Sequence, residues 1–210
     1  MAGRIIATDA CVAEGVAWLA ARDPVLASAI DLCGPLPLRR HPDGFAALLL
    51  VIVGQQVSVA SAEATWVRMQ TAGLTEPVAI ILAGDADLRA VGLSRQKARY
   101  ARALAQAGID FDALRLAPEA TVLATLTAVP GIGRWTAEIY AMFALGRADA
   151  FAPGDLALQE AVRVLFTLDN RPNEATLRNM AVAWSPWRSV AARVLWAYYA
   201  RMKSKEGVLG

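Results

Sequence analysis

The chain has 210 residues, 56% of them apolar, with 21 basic and 19 acidic side chains and a formal net charge of +2. That is enough apolar material for a core in one or two lobes and too much for a disordered chain. The longest apolar run, Phe45 to Gly54, falls far short of the roughly 20 residues of a membrane span, and no charged and apolar leader opens the sequence.

Helical periodicity runs the length of the chain, and strand signals are nearly absent. The pattern predicts helices over 9–21, 24–32, 44–55, 58–71, 77–83, 85–90, 94–107, 118–128, 133–145, 156–168, 173–184 and 187–203. Breakers separate them: Asp23-Pro24, Gly34-Pro35, Gly73, Gly92, Gly108, Pro130, Pro153-Gly154, Pro172 and Pro186. Ser94 is placed to cap the helix after it. The class is all-α, with short connections. Cys11 and Cys33 lack metal-ligand spacing and read as buried small residues in a reducing compartment. The count alone excludes a four-cysteine zinc or iron–sulfur cluster.

Net charge says little about partners, but its distribution says more. Between Leu88 and Ile109 stand Arg89, Arg95, Lys97, Arg99 and Arg102 with no acid, and the stretch after Arg171 is also basic. Such segments fit a phosphate-facing surface, and equally fit solvated helix faces.

Pro130-Gly131-Ile132-Gly133 lies between two helical runs. The glycines permit backbone angles closed to other residues, and Pro130 ends the first helix or fixes its turn. The second helix then begins with unsatisfied N–H groups at its positive end, ready for an anion. Ile132 is the apolar anchor between the glycines. A hairpin of this kind grips phosphate without reading bases, and it also serves as a plain connector.

Asp155 follows Pro153-Gly154 and precedes the apolar-periodic run from Leu156. It is a natural N-cap, and the helix dipole there favours the ionised carboxylate. An ionised acid in a cleft stabilises an oxocarbenium-like sugar cation, so the capping and catalytic readings are compatible. Few other groups offer acid–base chemistry: the single histidine, His41, reads as a loop residue.

From about Phe45 to Tyr199 the chain resembles the helix–hairpin–helix DNA glycosylases, within them the 3-methyladenine DNA glycosylase II group. Four motifs carry the resemblance: Gly54-Gln55-Gln56-Val57-Ser58-Val59, Leu93-Ser94-Arg95-Gln96-Lys97-Ala98, the hairpin through Gly154-Asp155, and Trp184-Ser185-Pro186-Trp187-Arg188-Ser189. The resemblance implies an enzyme that flips a damaged nucleotide out of double-stranded DNA and cuts its N-glycosidic bond. Asp155 is then the catalytic acid, Trp135 and Trp187 line the base pocket, and Gln56 is the wedge that fills the gap in the duplex. Gly131, Ile132, Gly133, Arg134 and Thr136 form the phosphate-binding hairpin, with an alkali-metal ion (Na or K) on the carbonyls of Val129 and Gly131. Ser94, Lys97 and Arg188 add DNA contacts. For the two pocket tryptophans core packing is the alternative, and for Gln56 an exposed helix end. Trp18, Trp66, Trp184 and Trp196 read as core.

Relatives that also nick the strand carry a lysine at or beside the Trp135 position; here the nearest basic residue is Arg134, which forms no Schiff base. The expectation is a monofunctional glycosylase excising alkylated purines such as 3-methyladenine and 7-methylguanine. Those bases carry positive charge, leave without a general acid and gain cation–π attraction between tryptophans. No cofactor is required. The expected architecture is two helical lobes flanking a DNA-binding cleft: residues 43–149 with the hairpin, and 1–42 plus 150–210 with Asp155 at the junction. A monomer acting in the cytoplasm, on the nucleoid if bacterial, with no membrane partner, completes the reading. The rivals are a hairpin DNA-binding module without catalysis and a glycosylase for oxidised or deaminated bases.

Overall fold

A computed structural model describes residues 3–206. Among them are thirteen α-helices, one short 3-10 helix and a single isolated bridge, Ile5 to Arg147, with no strands. The helices are α1 (Asp9–Ala20), α2 (Pro24–Cys33), α3 (Phe45–Gly54), α4 (Val59–Thr71), α5 (Pro77–Leu82), α6 (Asp85–Ala90), α7 (Arg95–Gln106), α8 (Phe111–Leu116), α9 (Glu119–Thr127), α10 (Arg134–Phe143), α11 (Leu156–Leu165), α12 (Glu174–Met180) and α13 (Arg188–Glu206). The all-α class is as the periodicity indicates. Helix α8 has no counterpart among the predicted runs; the Asp110 carboxylate starts it by accepting from Ala113 N at 2.9 Å. The run predicted over 173–184 divides into α12 and the 3-10 helix Ala181–Trp184.

Side-chain caps open α2, α4, α7, α8, α11 and α12. Asp23, with Pro24 behind it, accepts from Val25 N and Leu26 N at 3.0 Å, while Ser58, Ser94 and Asn173 cap α4, α7 and α12 through their side-chain oxygens. Each satisfies an amide that the helix itself leaves open.

The chain divides into two compact units, His41–Tyr140 and a second that, among the described residues, joins 3–40 to 141–206; the division falls within α10. In the first unit α7 is central, packed on α3, α5 and α6, with α4 on α3. Leu48, Leu49, Ile52, Ile80, Leu88 and Leu104 are all buried. In the second unit α13 is central and packs on α1, α2 and α11. Gly15 lets α1 approach it: a Cβ there would stand 2.6 Å from Val190 and 2.7 Å from the Trp187 ring.

Two expectations about burial change. Cys11 and Cys33 are half-buried, because both lie on helices with a solvent-facing side. Of the four tryptophans read as core, only Trp184 is fully enclosed; Trp18, Trp66 and Trp196 keep part of their rings at the surface. No helix among the described residues is long and apolar enough to cross a membrane.

Candidate functional site

The hairpin belongs to the first unit. Ile132 is 4% exposed and anchors the turn, with its N–H donating to Val129 O at 3.0 Å. Gly131 has φ +94, and a Cβ there would meet the Tyr100 ring at 2.4 Å, so both conformation and space demand glycine. Tyr100 is held in turn by Gln96, whose amide donates to its hydroxyl at 2.7 Å; that bond is the main reason the phenol's pKa is lowered. Ala137 N donates to Gly133 O at 3.0 Å, which makes Gly133 the cap of α10. A glycine cap brings no side-chain acceptor to the first-turn amides, and that is the arrangement an external anion exploits. Thr136 is buried in the first turn, while the exposed Arg134 donates from Nε to the buried Glu138 carboxylate at 3.0 Å.

Gln56 follows α3 with φ +57 and is exposed. Its neighbour Gln55 has a role the sequence did not reveal: its Nε2 donates to Gly131 O at 2.8 Å, tying the glutamine loop to the hairpin within the same unit. The doubled glutamine at the end of a wholly apolar helix was the available signal. The carbonyls of Val129 and Gly131 are hard neutral donors suited to an alkali ion. Each accepts one protein hydrogen bond and has a second lone pair, so the donor set fits such an ion.

The two expected DNA contacts in this unit each have a partner within the protein. Lys97 donates from Nζ to Val53 O at 2.6 Å, a cation on the C-terminal carbonyls of α3, and burial lowers its pKa. Ser94 is exposed, but its hydroxyl accepts from Lys97 N at 3.2 Å as the cap of α7.

Asp155 belongs to the second unit, where it caps α11. Its Oδ1 accepts from Ala157 N at 2.9 Å, Leu158 N at 3.1 Å and Trp196 Nε1 at 3.2 Å. Three donors on one oxygen fix the plane of the carboxylate. Gln159 Nε2 braces the preceding turn by donating to Pro153 O at 2.9 Å. Trp196, read from the sequence as core, is only half-buried and turns its indole N–H to this carboxylate. Its indole reaches Asp155 from α13, its ring lies 5.6 Å from Phe143, and the Arg193 guanidinium stands 4.7 Å above that Phe143 ring. Burial, then the charges of Arg39 and Arg40, lower the pKa of Arg193 to about 10.

The tryptophans of the expected base pocket differ. Trp135 is 46% exposed and can present a ring face. Trp187 is 2% exposed, enclosed by α1 at Gly15 and by the Arg4 guanidinium 4.4 Å from its ring centroid. A pocket wall needs an open face, and Trp187 instead packs inside its own unit. Arg188 is engaged by Asp149 through two bonds of 2.8 and 2.9 Å, and the Ser185 hydroxyl donates to the same carboxylate. It braces the Trp184–Trp187 segment at the start of α13.

The family model described as HhH-GPD superfamily base excision DNA repair protein matches residues 49–186. A crystal structure of a DNA-3-methyladenine glycosidase from Bacillus halodurans superposes with a TM-score of 0.81 at 32% identity, covering 89% of each chain. YfjP of Bacillus subtilis, provisionally named a DNA-3-methyladenine glycosylase, is 32% identical over 114 residues; the match spans 52% of this chain but only 40% of that protein. The fold is also that of the Schizosaccharomyces pombe 3-methyladenine DNA glycosylase Mag1, solved with abasic DNA, at a TM-score of 0.74 and 24% identity over 87% of this chain and 95% of Mag1.

Proposed function

Because the chain belongs to the HhH-GPD superfamily of base excision DNA repair proteins, we propose that it is a DNA glycosylase that removes alkylated bases from double-stranded DNA by hydrolysing the N-glycosidic bond. The observation that carries this reading is Asp155, a carboxylate fixed by three donors on one oxygen at a helix N-terminus. Its charge stabilises the oxocarbenium character that develops on the deoxyribose as the base departs. The Trp196 N–H orients it. The α10 amides behind Gly133 hold a backbone phosphate, and an alkali ion on the Val129 and Gly131 carbonyls would add positive charge beside that phosphate. Gln56 fills the space left by the flipped nucleotide, and Trp135 offers the exposed ring on which a cationic base stacks.

The chemistry is monofunctional: Arg134 and Trp135 stand where a strand-nicking relative places its lysine, so the abasic strand stays intact. The substrates are purines alkylated at ring nitrogens, such as 3-methyladenine and 7-methylguanine. Their positive charge makes them leaving groups that require no acid. The protein works as a monomer in the DNA-containing compartment without a required cofactor.

The test is base release from methylated duplex by the full chain, followed by electrophoresis of the strand with and without alkali. Released methylpurine with a strand that breaks only in alkali supports the reading. Breakage without alkali overturns the monofunctional assignment. Duplex binding with no release of any alkylated base overturns the substrate assignment in favour of a DNA-binding module or another lesion class.

A further inference from the structure

We propose that the cleft between α6 and α7 is a second phosphate seat, one that holds the backbone of duplex DNA away from the lesion. The inference rests on the reading of the chain as a DNA enzyme. The cleft encloses about 470 Å3 and lies wholly within the first unit. Arg95, Arg99 and Arg102, at i, i+4 and i+7, share one face of α7 over about 10 Å, and Arg89 of α6 lines the same cleft. Leu93, Ala98 and Ala103 are apolar and short, which leaves the concavity open.

The charges in the cleft do not balance. Asp85 is the one acid among its lining residues, and it is ion-paired to Arg102, whose second nitrogen donates to Ala83 O at 3.0 Å. That pairing, first through the hydrogen bond and then through charge, holds the Asp85 carboxyl below its usual range. Helix α7 itself carries no acidic residue, and like charges three and four residues apart destabilise a helix. Arg99 stands 5.6 Å from the Tyr100 ring centroid and Arg102 is paired to Asp85, so four guanidinium groups line the cleft against a single carboxylate. An external anion supplies the missing counter-charge.

Guanidinium forks match phosphate oxygens in pairs. A volume of about 470 Å3 exceeds what one phosphate fills, which favours a polymer over a small anion. Helix α7 also bears Tyr100, on whose ring Gly131 rests, so the cleft and the hairpin are built on one packed element. The arginine row lies about 100–160° around α7 from Tyr100, so the hairpin and the cleft occupy different sides of the same helix.

The experiment measures binding of the full chain to undamaged duplex by fluorescence anisotropy between about 50 and 200 mM salt. Replacing both Arg95→Gln and Arg99→Gln lowers the slope of log affinity against log salt by about 2 and weakens binding at least about tenfold near 100 mM salt. Arg95→Lys with Arg99→Lys restores most of the slope, and Arg89→Gln alone lowers it by about 1. Single-turnover base release at saturating protein stays at the wild-type rate in each variant. An unchanged slope in folded Arg95→Gln/Arg99→Gln and in Arg89→Gln overturns the proposal and leaves the cleft to a non-DNA anion. Wild-type binding without base release would instead sink the glycosylase reading, and the slopes would still decide the cleft.

Discussion

Asp155→Asn separates the charge of this side chain from its hydrogen bonds. Three donors, Ala157 N, Leu158 N and Trp196 Nε1, meet Oδ1, and an asparagine in the same rotamer offers its amide oxygen there. Asn caps helices as well as Asp does, so unfolding stability should change by less than about 0.5 kcal/mol. The lost charge acts on catalysis. A unit charge about 4 Å from a developing sugar cation, at an effective dielectric near 20, contributes about 4 kcal/mol. Because the cation exists only in the transition state, release should fall about a thousandfold while duplex binding is retained. Asp155→Ala is the companion variant. It loses the same charge and also leaves the cap and the indole N–H without an acceptor, costing about 2 kcal/mol. Single-turnover release from methylated duplex and urea unfolding measure the two effects. If Asp155→Asn releases base within tenfold of wild type, the electrostatic role is refuted. If it unfolds as readily as Asp155→Ala, the hydrogen-bond argument is wrong.

Further predictions concern the supports of the site. Gly131→Ala should lose about 2–3 kcal/mol in urea unfolding, since the methyl would sit 2.4 Å from the Tyr100 ring at a φ of +94; a loss below about 0.5 kcal/mol would show that the seat yields. Gln56→Gly relieves a left-handed backbone and should raise stability by up to about 1 kcal/mol while weakening binding to abasic duplex; unchanged affinity would remove the wedge assignment. Trp196→Phe keeps a ring near Phe143 but removes the N–H at Asp155, and should slow release several-fold with DNA affinity unchanged. Equal rates for this variant and wild type would show that the carboxylate needs no help from α13.

Much of this protein can be read from short stretches of its sequence. Helix starts follow from an Asp, Ser or Asn ahead of an apolar-periodic run, a matter of three or four residues, and Asp155 was recognisable as a cap for that reason. The Pro130–Gly133 turn is equally local, since glycine's backbone freedom and proline's fixed angle need no distant partner. The destinations of long side chains are another matter. Gln55 reaches Gly131 across 76 positions and Trp196 reaches Asp155 across 41. Lys97 turns to Val53 instead of outward because the end of α3, 44 positions earlier, offers its carbonyls there. Trp135 and Trp187 look alike in sequence, yet the first keeps an open face and the second is enclosed by Gly15 and Arg4. Capping depends on neighbours within one helical turn, so most of it is legible in the sequence; the packing of remote segments decides which indole, amide or ammonium meets the site, and that is a property of the tertiary structure.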